Sequence, residues 1–97
     1  MSTHNDATNA KTFDPARFPM ELHVPPGLEY VEESTLEGIR TALEDGLGVY
    51  VESCDGRAFV WPEDDTYRAD HFFVGPARLH TFETAEEAAD FASDLCE

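Results

Sequence analysis

The sequence predicts an α+β domain, a small mainly antiparallel sheet of about four to five strands with two helices packed on one face. Two of the observations behind this are helical stretches that each open on a capping box, Ser34 with Glu37 and Thr84 with Glu87. The third is VYVESCDGRAFVW, residues 49–61, in which two alternating runs flank Asp55-Gly56. Asp-Gly between such runs signals a hairpin, because both central residues of a tight turn must take positive φ.

Taken in order, residues 1–12 are polar, small and without periodicity, so they read as a flexible tail and leave 13–97 as one domain. In FDPARFPMELHVPPG, Met20, Leu22 and Val24 alternate with Glu21 and His23, which predicts a short strand closed by Pro25-Pro26-Gly27. Pro15 and Pro19 exclude a regular helix around Phe13 and Phe18. The first helix follows Ser34. Its core face is Leu36, Ile39, Leu43 and Leu47, and Gly46 supplies a left-handed stop. Gly38 within it costs about 1 kcal/mol relative to alanine.

Folded about Asp55-Gly56, the hairpin places Cys54 opposite Arg57, Glu52 opposite Phe59 and Tyr50 opposite Trp61. Val49, Val51, Ala58 and Val60 then share one face, and Tyr50, Phe59 and Trp61 share the other. Pro62 and the run Glu63-Asp64-Asp65 end the second strand, and residues 71–74 and 77–82 form two more strands around Gly75-Pro76. The last helix buries Ala85, Ala88, Phe91, Ala92 and Leu95. An alanine-rich face can approach a sheet closely, so the helices are expected on the valine side.

That leaves the aromatic side to be covered. Phe13, Phe18 and Met20 can fold across it, with Tyr50 and Trp61 as a cross-strand pair. Otherwise Tyr50, Arg57 and Trp61, residue types that anchor interfaces, form a docking surface for a partner.

Charge is the strongest signal. Twenty-one acidic residues stand against six basic ones, a net charge of −15, and Lys11 is the single lysine. Such a field repels phosphates, which disfavours direct binding to nucleic acid or to an anionic membrane. Along the last helix Glu83, Glu86, Glu87, Asp90, Asp94 and Glu97 occupy the outer side, with no Lys or Arg at i+4. The axial rise spreads them at roughly one charge per 3.5 Å. One DNA strand carries a charge about every 3.4 Å. Asp94 and Glu97 also lie at the negative end of the helix dipole, so helix stability does not explain them.

Chemistry-bearing motifs are sparse. Cys54 beside Arg57 is a candidate nucleophile, but no motif surrounds it and the abundant carboxylates raise a thiol's pKa. Cys54 and Cys96 form no CxxC pair, and two reduced thiols are expected. His71 and His80 can meet across a hairpin, yet paired metal ligands at short spacing are missing and Glu63-Asp64-Asp65 lacks the pattern of a calcium loop. No metal or cofactor is expected. The opening MSTHNDATNAK lacks the order of a signal peptide, and no apolar run approaches about 20 residues, so a cytoplasmic protein outside the membrane is expected.

The function these features predict is that of a non-enzymatic acidic domain that binds a protein partner bearing a basic surface. In its sharpest form it is an inhibitor that mimics nucleic acid and blocks a basic groove, of the antirestriction or anti-CRISPR type. The binding residues are then Glu83, Glu86, Glu87, Asp90 and Asp94, with Tyr50, Arg57 and Trp61. The alternative is a small domain of a halophile, acting as an interaction or regulatory module, whose acidity serves high salt. The second alternative is a thiol-dependent enzyme using Cys54.

Overall fold

A computed structural model describes residues 10–18, 21–53, 56–73 and 75–95. Among these residues six strands form a single sheet in the order of the chain: β1 (Lys11–Thr12), β2 (Glu29–Glu32), β3 (Gly48–Ser53), β4 (Gly56–Glu63), β5 (Thr66–Phe72) and β6 (Arg78–Phe82). All neighbours are antiparallel except β2 and β3, which are parallel and joined through helix α1 (Leu36–Glu44). Helix α2 (Ala85–Leu95) follows β6 and packs beside α1 on the same face of the sheet. The α+β reading holds, with more strands than expected.

The helices take the valine face. Val49, Val51, Ala58, Val60 and Ala69 of the sheet meet Ile39, Ala42 and Leu43 of α1 and Ala85, Ala88, Ala89 and Ala92 of α2, all buried. Phe91 and Leu95, expected inside, are only partly buried against this core. α2 starts as its sequence predicts, since Thr84 Oγ1 accepts from the Glu87 N–H at 3.1 Å. The Glu87 carboxylate reaches back to the Glu83 N–H. For α1 the cap is Thr35, one residue later than the expected Ser34; its Oγ1 accepts from Gly38 N–H at 3.1 Å. Gly46 stops α1 with φ +87°, a conformation that suits glycine.

Three expectations are corrected. The hairpin pairs Ser53 with Gly56, Glu52 with Arg57 and Tyr50 with Phe59, so Tyr50 and Trp61 are not partners. The connection comprises residues 54 and 55, and both Cys54 and Asp55 lie outside the described residues. Gly56 opens β4 with its bare Cα against the His71 ring: a Cβ there would come within 2.9 Å of Nε2. The slip is two residues, so each side chain keeps its predicted face.

The predicted strand through Leu22 and Val24 is irregular backbone instead, and Met20 lies outside the described residues. The His23 and Val24 N–H groups are taken by the Asp70 carboxylate, not by a neighbouring strand. The third correction concerns β1 and β2, which were not anticipated. Lys11 and Thr12, read as the end of the tail, pair with Tyr30 and Glu29. β5 also begins earlier than expected, at Thr66, after the two-residue turn Asp64-Asp65.

The aromatic face is covered by the chain itself. Phe59 lies at its centre, with the rings of Phe13, Phe18 and Tyr30 meeting it edge-on at 5.2, 5.4 and 5.1 Å between centroids. Tyr50 and Phe72 flank it at 4.8 and 6.2 Å. Leu22, Val24, Leu28 and Trp61 belong to the same cluster. Burying Phe13 alone is worth about 1.5–3 kcal/mol.

Candidate functional site

Alanines on the inner side of α2 leave its outer side to Glu86, Glu87, Asp90 and Asp94, all exposed, with exposed Glu83 just ahead of the helix. α1 adds exposed Glu37 and Glu44, followed by Asp45. Because the two helices lie side by side, these carboxylates form one continuous acidic layer. Arg40 is the single basic residue on either helix and faces a shallow depression with Glu44, Asp65, Glu83 and Glu86.

The ion pairs lie elsewhere. Lys11 meets Glu32 at 2.9 Å, Arg57 meets Glu52 at 4.0 Å and Arg68 meets Glu63 at 3.7 Å, and the His23 imidazole is hydrogen-bonded to Asp70 at 2.7 Å. All belong to strands or to the N-terminal segment, and among the described residues no ion pair involves a carboxylate of α1 or α2. Among the described residues ion pairing is confined to the sheet and the N-terminal segment, and Arg40 is the one cation amid the helical carboxylates.

The residues expected to bind a partner do not form one surface. The carboxylates of α2 lie over the valine face, whereas Tyr50, Arg57 and Trp61 belong to the hairpin whose aromatic side faces the opposite way. Trp61 is 1% exposed and its Nε1–H donates to the Glu63 carboxylate at 3.1 Å, so it offers no anchor. Tyr50 is half-buried; burial pushes its hydroxyl pKa up, opposed by a hydrogen bond from Arg57. Arg57 remains outward, 5.8 Å above the Phe72 ring.

Two arrangements were not foreseen. Asp70 is fully buried on the aromatic side, yet it accepts from the His23 and Val24 N–H groups and touches His23 Nδ1 at 2.7 Å. With the carboxylate as acceptor, Nδ1 carries the hydrogen and Nε2 is the basic nitrogen. His23 lines a groove with Pro15, Glu21, Leu22, Pro76 and Ala77, and among these described residues there is no Ser, Thr or Cys nucleophile. The available signal was the alternation in Ala69-Asp70-His71-Phe72, which puts Asp70 on the same face as Phe72.

The second arrangement is His71 and His80 on the helix side, with ring centroids 6.3 Å apart and both packed on Phe91. Burial, reinforced by His80 and Arg78, pushes the His71 pKa below its ordinary value of 6.5. Among the described residues no group of three or more His, Cys, Asp or Glu side chains is placed to hold a metal. Cys54, the candidate nucleophile, and Cys96 lie outside the described residues. None of the described helices is long and apolar enough to cross a membrane.

No known protein family, curated protein or solved structure matches the chain. Function is therefore read from the surface itself.

Proposed function

We propose that this protein is a non-enzymatic, cytoplasmic binding module that docks on a basic surface of a partner protein through its helical layer. The observation that carries this reading is the separation of charge: among the described residues the basic side chains that form ion pairs do so on the sheet side, and the carboxylates of α1 and α2 have none. A row of uncompensated like charges destabilises the chain that carries it and gains energy when a cationic surface covers it. In the sharpest form of this reading the partner surface is a nucleic-acid-binding groove and the protein is its inhibitor. The acidic residues along α2 supply the phosphate-like row, with Trp61 excluded from the binding set by its burial.

The test is capture of partners at low and high salt, followed by titration of the purified partner. The expected partner is basic, releases with salt and loses nucleic acid in competition with this protein. Neutralising Glu86→Gln, Glu87→Gln, Asp90→Asn and Asp94→Asn together should weaken the complex at least tenfold. Binding that ignores salt and these substitutions rejects the proposal.

A second reading has its own support. Exposed acids also populate the sheet side and loops, at Glu21, Glu29, Glu32, Glu52, Asp64 and Asp65, and lysine is nearly missing. That broad distribution suits adaptation to high salt. It requires weak folding in dilute buffer and gain of structure towards molar salt, as repulsion is screened. Circular dichroism across a salt series decides, and full folding without added salt rejects this reading.

A further inference from the structure

His71 and His80 stand on neighbouring strands on the helix side, with their rings 6.3 Å apart and both packed on Phe91 of α2, at 5.9 and 4.7 Å between centroids. The Nε2 atoms of both rings are buried, and among the described residues neither has a hydrogen-bond partner. His71 Nε2 is packed against backbone, since a Cβ on Gly56 would come within 2.9 Å of it. A neutral imidazole tolerates this by carrying its one hydrogen on Nδ1 and leaving Nε2 bare. An imidazolium carries a hydrogen on both nitrogens, so a charged donor would be buried without an acceptor.

The surroundings offer that charge no counter-ion. β6 presents Arg78, the cross-strand partner of His71, and His80 itself. β4 presents Gly56 and Ala58, and β5 adds Ala69 and Tyr67 on the same face. From α2 comes the Phe91 ring. Glu87 and Asp94, one turn to either side of it, are exposed. The Glu87 carboxylate is turned to the Glu83 N–H, and among the described residues neither acid is paired with an imidazole. Burial, His80 and Arg78 accordingly hold the His71 pKa below 6.5, with no carboxylate opposing them. A phenyl face attracts a cation only weakly, and here two imidazoles share one ring.

The two ends of α2 are secured unequally. At its start stand the Thr84–Glu87 box and buried Ala85, Ala88 and Ala89. Further on Ala92 is buried, but Phe91 and Leu95 are only partly so. The last turn holds no basic residue, and Asp94 opposes the helix dipole there. We propose that the His71–His80 pair is an acid-sensitive latch for α2: protonation drives the imidazoles off Phe91 towards water and frees residues 90–95 from the sheet, which itself stays folded. This rests on the acidic-surface reading above only for its consequence. Asp90 and Asp94 would leave the row of carboxylates, so docking would weaken in acid.

The experiment follows the full chain by NMR from about pH 8 to about pH 5, the range in which histidine titrates, with no partner added. The Cα shifts of residues 91–95 should lose their helical values with the same midpoint as the His71 ring signals. Residues 85–89, the strand amides and the Trp61 indole should keep their native positions. His71→Gln combined with His80→Gln should hold the end of the helix in place to the acid limit. Phe91→Ala, which removes the shared ring, should free that end at the alkaline limit already and abolish its pH dependence. The proposal is overturned if residues 91–95 stay helical while His71 titrates, or if they are lost together with the sheet. It is equally overturned if the double variant or Phe91→Ala keeps the original transition. Any of these results would leave the acidic-surface reading standing, and failure to capture a basic partner would leave the latch standing.

Discussion

Asp70 and His23, 47 residues apart, are joined twice: the His23 backbone N–H donates to the Asp70 carboxylate, and the His23 Nδ1 lies 2.7 Å from it. The Val24 N–H adds a further bond at 3.1 Å. A carboxylate without solvent access thus holds down the irregular segment that covers the aromatic face. Asp70→Ala leaves backbone donors without an acceptor and should cost about 3 kcal/mol or more. His23→Ala removes only a half-exposed ring and should cost about 1 kcal/mol or less. Urea denaturation of both variants gives the comparison. Equal losses would show that the side chain, not the backbone, is what Asp70 secures.

Phe13 carries much of that cover. At 3% exposure it packs against Phe18 and Phe59. Phe13→Ala should cost about 3–5 kcal/mol, and the emission of Trp61 should shift to the red as the cover loosens. Phe73→Ala, at a position 61% exposed, should change stability by no more than about 0.5 kcal/mol.

Acid should weaken the fold through His71. Burial, His80 and Arg78 all hold its pKa below 6.5, so the unfolded chain takes up the proton first as pH falls. Its contribution to stability is therefore fully present above about pH 6.5 and is lost as pH drops towards the folded-state value. Thermal melts between pH 8 and 5 should show this decline, and His71→Gln should flatten it. An unchanged slope in that variant would assign the decline to other groups.

Gly56 ties the hairpin to the same imidazole. Its φ is +152°, and a Cβ would come within 2.9 Å of His71 Nε2. Gly56→Ala should cost about 1–3 kcal/mol through backbone strain and this collision. In a His71→Ala background the collision disappears and only the strain remains, so the two losses should fall short of additive. Full additivity in thermal melts would place the cost in the backbone alone.

Charges on α2 should trade stability for binding. Asp94, in the last turn, opposes the helix dipole, so Asp94→Asn should stabilise by about 0.3–1 kcal/mol at low salt. The gain should shrink as salt screens it. The same substitution should weaken the complex with a basic partner. Stabilisation without loss of partner binding would detach Asp94 from the docking surface.

Much of this architecture is legible along the chain. Alternation alone assigns Val49, Val51, Ala58 and Val60 to the helix side and Tyr50, Phe59 and Trp61 to the other, and a two-residue slip in register leaves that division intact. The Thr84–Glu87 box and the alanine spacing likewise define α2 and leave its acids outside. These features depend on backbone geometry between residues a few positions apart, so a short window of sequence contains their cause.

The tertiary structure decided what lies over each face. The alternation of Met20, Leu22 and Val24 reads as a strand, but Asp70 claims the N–H groups that a strand would use. Glu29–Glu32 becomes a strand because β3 accepts it as a parallel neighbour across α1. Trp61 reads equally as an anchor or as core until Phe13 and its neighbours close the aromatic side. The place of β6 at an edge is visible only once the strand order of the described residues is known. In each case the deciding partner is far away in sequence, and the competition is between whole arrangements of hydrogen bonds and buried rings, which no local pattern encodes.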